Sequence, residues 1–225
     1  MKNKMSKIVK NKFRYDTSSL PEAQFEPGSR GRVLRNKLGI KSKREMDEAE
    51  TIALKDAVDK LIGIYDKDHR FTAADIRSMH KIWLGDIYEW AGEYRQVNVS
   101  KGDFHFAAAK QVSLLMGSFE KDFLRKHTPC NFKSMERVIQ ALAEVHVELV
   151  LIHPFREGNG RAARMLSTLM AFQAGFPMLN FKDISGRNRK KYFDAINNGL
   201  HRNYKLMENI FEKIIRRSEA KPAEY

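Results

Sequence analysis

Apolar positions recur at three- and four-residue steps along most of the chain, and the predicted elements follow from that period. Met46, Ala49, Ile52, Ala53, Ala57, Leu61 and Ile64 share one face of a helix that starts near Lys43. Thr72, with Asp75 three residues on, reads as a capping-box start for a second helix through Ile76, Met79, His80 and Trp83. Residues 107–126 are helical again. Residues 132–151 carry Val138, Leu142, Val145 and Leu149 on one stripe that extends to Ile152. Further helices are predicted over 160–173, 186–200 and 204–216, and a short one over 32–38 ending at Gly39. The period changes once. In residues 95–106, RQVNVSKGDFHF, Val97, Val99, Phe104 and Phe106 are apolar around Lys101-Gly102-Asp103, which is a short β-hairpin signal. The polar, Pro-, Gly- and Ser-rich residues 1–30 read as an irregular lead-in. No internal repeat is visible, and the predicted fold class is all-α with one hairpin.

The length of 225 residues suits one domain with a core that needs no staples. Cys130 is the only cysteine, which excludes a disulfide within the chain and argues against a Cys-based zinc site. That usage suits a reducing, cytoplasmic location. The basic start, MKNKMSKIVKNKFRY, has no apolar run behind it and does not read as a secretion signal. No stretch of 18 apolar residues is present, so no membrane span is expected.

The net charge of +13 admits three readings: a nucleic-acid partner, an acidic protein partner, or a basic surface with a few arginines for a phosphorylated ligand. Aromatic residues are not interleaved with the basic clusters as stacking platforms would require. The phosphorylated-ligand reading is therefore preferred over nucleic acid.

The chemistry is concentrated in HPFREGNGRAAR, residues 153–164. His153 precedes Pro154, which pushes it out of the helical region, so one helix ends there. Gly158-Asn159-Gly160 can turn the chain and present backbone amides to an anion at the start of the next helix. Arg161 and Arg164, three apart, share a face near that start and suit a polyphosphate. Glu157 is placed to carry a magnesium ion beside phosphates. His153 is the group that can take a proton near neutral pH. Phe155 is expected to anchor the segment in the core. Taken singly, a His before Pro, a glycine turn and two helix arginines are ordinary structural features. Their conjunction within twelve residues points to chemistry on a nucleoside triphosphate.

This segment matches in full the signature His-x-Phe-x-Asp/Glu-Gly-Asn-Gly-Arg-x-x-Arg, and the chain resembles the Fic family. GRVLRNKLGI, GDIYEWAGEYR and VNVSKGDFHF are similar to bacterial members of the toxin and effector type. The resemblance covers residues 28–217, leaving an arm, 1–27, and a tail, 218–225. It implies the Fic fold, a helical bundle with a hairpin flap, and transfer of AMP from ATP to a Ser, Thr or Tyr hydroxyl of a target protein. It casts His153 as the base and Glu157 as the Mg2+ ligand. Gly158, Asn159 and Gly160 become the anion hole, and Arg161 and Arg164 the clamps on the outer phosphates. The flap, which pairs with the target backbone, maps to Val97, Asn98, Val99, Ser100, Lys101, Phe104, His105 and Phe106. Tyr192 and Asn197 are candidates for the nucleotide pocket, with core or surface roles equally open. The intact Gly-Asn-Gly-Arg run argues for AMP over another phosphate-containing group.

Many members of the family are restrained by a helix bearing Ser/Thr-x-x-x-Glu-Gly/Asn. The one match in spacing, Ser18 to Glu22, has Ala23 in the last position and Pro21 inside it, a poor fit. Restraint is therefore expected in trans, from a small antitoxin supplying the glutamate. With no secretion domain recognised after residue 217, a bacterial cytoplasmic target is expected, a type II DNA topoisomerase subunit among the options the resemblance suggests. Rival readings are a nucleic-acid-binding protein, a metal-dependent hydrolase built on His146 and His153, and a degenerate member used for binding only.

Overall fold

The computed structural model describes residues 19–184 and 188–221. Its helices are α1 (Lys43–Ile64), α2 (Ala73–Leu84), α3 (Val112–Phe119), α4 (Arg125–His127), α5 (Met135–Ile152), α6 (Asn159–Gln173), α7 (Arg189–Gly199) and α8 (Lys205–Ala220). A π turn, Glu120–Leu124, joins α3 to α4. The one sheet among the described residues is the hairpin β1 (Ser100–Lys101) and β2 (Phe104–His105). The all-α architecture with a single hairpin holds, and among the described residues no helix is long and apolar enough to cross a membrane.

Helix α5 is the centre of the core. Twelve of its residues, from Val138 to Ile152, are buried on nearly every side, as expected of a helix surrounded by others. It packs against α6, α7, α8 and α3, while α6 also meets α1 and α2. The two helices that bracket residues 153–158 are thus the most enclosed in the molecule. That rigidity positions the site.

Local chemistry starts the helices where side chains cap them. Ser42 and Ser134 accept from the amides of Glu45 and Arg137. Thr72 and Asp75 form the reciprocal capping box that their spacing predicts.

Two sequence expectations need correction. Residues 32–38 form no helix. Asn36 draws this segment into a turn: its Oδ1 accepts from the amides of Leu38 and Ile40, and its Nδ2 donates to the carbonyls of Leu34 and Ile40. Leu34 also bridges to Phe25. Asparagine competing with backbone partners in this way is a known route out of helix. On α1, Ile52 and Ile64 are exposed and Glu50 is buried, so the inward face is rotated from the predicted stripe. The predicted helix start at 186 falls outside the described residues, and α7 is seen from Arg189.

Candidate functional site

His153 ends α5 in a left-handed conformation, φ 54° and ψ 60°, with its amide still donating to the Leu149 carbonyl. Pro154 cannot extend the helix, and the chain leaves sharply. Nδ1 of His153 lies 3.1 Å from the Val150 carbonyl. A carbonyl can only accept, so Nδ1 carries the proton and Nε2 is the basic nitrogen. The ring stacks on Phe106 of the hairpin, centroids 3.6 Å apart. Burial, with Arg95 and Lys101 nearby, lowers the His153 pKa to about 4.

The loop to α6 is closed from within. Asn159 is buried, accepting at Oδ1 from the Phe155 amide and donating from Nδ2 to the Phe155 carbonyl, both at 2.8 Å. Its side chain therefore locks the turn, and only its backbone amide is left for an anion. Phe155 is fully buried and stacks on His80, centroids 3.8 Å apart. His80 accepts at Nδ1 from the Gly92 amide and donates from Nε2 to the Glu157 carbonyl. Gly158 adopts φ 83°, and a Cβ there would lie 2.7 Å from the Trp83 ring, so this glycine is required by the fold.

Gly160 is different. A Cβ there would meet nothing closer than Arg164 Nη1 at 3.8 Å. No protein atom demands the glycine, and the space it leaves belongs to the cavities beside it. The N-cap of α6 is Gly158, which has no side chain to offer the first-turn amides.

The two arginines have unequal roles. Arg161 is held by Glu50 of α1, Nη2 to Oε2 at 2.7 Å, and lies over the Trp83 ring. Glu50 is buried, accepts from Tyr88 Oη at 2.7 Å, and its carbonyl accepts from Trp83 Nε1. Arg164 lines both cavities next to His153. Glu157 accepts from the Gly158 amide at 2.9 Å and lies 3.6 Å from Arg161.

Two cavities meet at His153. One, of about 540 Å³, is walled by Phe106 and Lys101 from the hairpin, Gly160 and Arg164 from α6, and Tyr192 and Asn197 from α7. The other, of about 380 Å³, runs between Val99–Lys101 and residues 156–161. Tyr192 is both wall and core: its hydroxyl donates to His146 Nε2 at 2.9 Å, and His146 Nδ1 donates to Ser167 Oγ. His146 is thus a buried strut between α5, α6 and α7. Burial depresses its pKa to about 3. Among the described residues no three His, Cys, Asp or Glu gather into a metal cluster.

The hairpin turns on Gly102-Asp103, with Ser100 opposite His105 and Lys101 opposite Phe104. Lys101 reaches over the Phe193 ring of α7. Burial and the neighbouring Arg189 and Arg164 push its pKa down. Phe104 packs edge-on against Phe106, whereas His105 is exposed. At the hairpin base, Arg95 is 1% exposed and donates to the carbonyls of Val97, Ala107, Ile152 and His153.

Residues 70–171 match the family model of the Fic/DOC family. This segment of the chain is similar to the Fic/DOC family. The chain is 28% identical over 73% of its length to the "probable protein adenylyltransferase y4lH" of Sinorhizobium fredii, spanning 81% of that protein. It is 27% identical to the "probable protein adenylyltransferase Fic" of Escherichia coli over 85% of this chain and 91% of that one. Other relatives are longer, and the chain spans 33% and 32% of two of them. The N-terminal Fic domain of a VirB-translocated cell filamentation protein of Bartonella quintana, solved with bound ADP, superposes with a TM-score of 0.64. It is 25% identical, over 80% of this chain and 89% of that one.

At this site nothing in the sequence pattern singles out Arg95, His80 or Glu50. Glu50 left no trace, because α1 carries many other acidic and basic residues and the partners of Glu50 lie on other elements. Arg95 and His80 left none either, because their partners are backbone groups mostly far away in sequence.

Proposed function

We propose that this chain is a protein adenylyltransferase, moving AMP from ATP to a Ser, Thr or Tyr hydroxyl of a target protein. The observation that carries the reading is His153. Its proton is fixed on Nδ1 by Val150, leaving Nε2 basic at the junction of a nucleotide-sized cavity and a groove along the hairpin. The target hydroxyl gives its proton to Nε2, its oxygen attacks the α-phosphorus in line, and pyrophosphate leaves. The uncapped first turn of α6 and the open space at Gly160 support phosphate binding there, with Arg164 on the outer phosphates. Arg161, anchored by Glu50, adds positive potential from a fixed position. Tyr192 and Asn197 line the space for the base and ribose.

Glu157 is the one acid lining the second cavity among the described residues, and it is half exposed. A single carboxylate fits Mg2+ carried by the phosphates, since that ion keeps most of its waters and takes one or two protein oxygens. Bound there, Mg2+ would neutralise charge on the α- and β-phosphates.

We place the protein in the bacterial cytoplasm, restrained by a small antitoxin, with a type II DNA topoisomerase subunit as the first target to test. The carboxylate of Glu22 supports restraint in trans, because it accepts from the Gln96 amide, 2.6 Å away, within the protein's own scaffold. Ser18, the other half of the poor internal match, lies outside the described residues.

The test is incubation with Mg2+ and α-labelled ATP in a bacterial lysate beside a His153→Ala control. A labelled protein that disappears in the control supports AMP transfer. Transfer of γ-label in its place means that the group moved is phosphate.

A further inference from the structure

We propose that Arg156 selects targets carrying an acidic side chain two residues from the modified hydroxyl. The inference rests on the AMP-transfer reading above and specifies its substrate.

The free edge of the hairpin fixes where a target can lie. The Phe106 amide donates to the Val99 carbonyl, so Val99 and Phe106 are a hydrogen-bonded pair. Bonded and non-bonded pairs alternate in an antiparallel ladder, so the amides and carbonyls of Asn98 and Ser100 point away from β2. A strand added at this edge lies over two adjoining hollows. One, of about 320 Å³, is bounded by Ala23, Asn98 and Arg156. The other contains His153. Val99, Ser100 and Arg156 line both, so Arg156 stands where the two hollows join.

Arg156 is prepared for an anion. Its Nε donates to the Glu22 carbonyl at 2.9 Å, which fixes the plane of the guanidinium. Its two terminal nitrogens make no hydrogen bond or ion pair with any described residue. Glu22 spends its carboxylate on the Gln96 amide, and Glu157, next in the chain, accepts from the Gly158 amide. Arg161, five residues on, has its own buried carboxylate. A half-buried fork held at one end loses little freedom on meeting a carboxylate. Lys101, Arg161 and Arg164 on the same walls favour an acid there and disfavour a lysine.

Side chains alternate along a strand, so residues two apart share a face at about 7 Å spacing. The first neighbour on the same face as the residue presented to His153 is two positions away, and we assign that neighbour to Arg156.

The experiment begins with the acceptor segment of a protein labelled by the purified chain in lysate, mapped by mass spectrometry. The acid two positions away is changed to Asn and to Lys, and each version is assayed with wild type and with Arg156→Glu. We expect about a tenfold loss on the Asn version with wild type, the size expected of one charge-assisted hydrogen bond. We expect Arg156→Glu to prefer the Lys version, with KM for ATP unmoved. An acceptor without an acid at that spacing overturns the proposal, and so does an Asn change without effect. A uniform loss with Arg156→Glu on all versions overturns it too, because Arg156 then only pins the segment around Glu22. No label on any protein overturns the AMP-transfer reading and this inference together.

Discussion

Arg95 donates from Nε to the carbonyl of His153 at 2.7 Å across 58 residues of sequence. Its other donors hold Val97 and Ala107 at the two ends of the hairpin, and its amide donates to Pro154. One buried guanidinium thus fixes the hairpin and the base to each other.

Arg95→Ala should therefore damage activity and stability together. Several buried carbonyls lose their donor, a loss of about 3 kcal/mol or more. Arg95→Lys restores a charge but not the fork. Its melting temperature should fall less, and kcat for AMP transfer should still drop at least about tenfold because the hairpin no longer holds its register to His153. Wild-type kcat in Arg95→Lys would show that the fork is not needed.

The acid limb of the pH–rate profile should lie low. A base works unprotonated, and burial holds His153 near 4. With free enzyme and subsaturating substrate, kcat/KM should stay level from pH 8 down to about 5 and fall below that. A limb near 6.5, the ordinary value for histidine, would place the catalytic imidazole in a more solvated setting than the structure shows.

Stability should erode across a related window. Burial depresses His80 and His153 to about 4 and His146 to about 3. Between those values and 6.5 the unfolded chain binds protons that the folded chain refuses, so stability rises with pH there and is lost as pH falls from about 6.5 towards 4. Glu144 acts at lower pH. Burial alone would raise it, but hydrogen bonds from His127 and Lys126 hold it at about 2. Its contribution persists above the ordinary carboxylate value and disappears as pH falls from there through about 2. Chemical denaturation at pH 7, 5.5 and 4 should show the first loss. His146→Phe should flatten part of it.

The two glycines of the motif should separate fold from ligand. Gly158→Ala meets the Trp83 ring in a backbone conformation unfavourable to alanine, and should cost about 2 kcal/mol or more of stability. Gly160→Ala meets no protein atom closer than Arg164 Nη1 at 3.8 Å, should melt like wild type, and should raise KM for ATP about tenfold. Equal ATP affinity in wild type and Gly160→Ala would mean that the open space there is not the phosphate site.

Much of this was readable from the residues. The helical period, the Thr72–Asp75 box and the cluster at 153–164 each depend on neighbours within four positions, so their spacing carries the information. Residues 32–38 misled because a single asparagine side chain outbids helical hydrogen bonds there. Asn159 was read as part of an anion hole, while its amide group proves to be a brace within the turn. Glu50, His80 and Arg95 act mainly through partners 12 or more residues away, and no local pattern encodes such pairs.

The left-handed backbone at His153 has an evolutionary consequence. Glycine or asparagine would occupy φ 54° and ψ 60° at less cost than histidine, by about 1 kcal/mol. His153→Asn should then fold at least as tightly as the natural chain while transferring no AMP. A library of this protein sorted only for expression or heat resistance would drift towards inert members, so the histidine can persist in a lineage only while its chemistry is under selection.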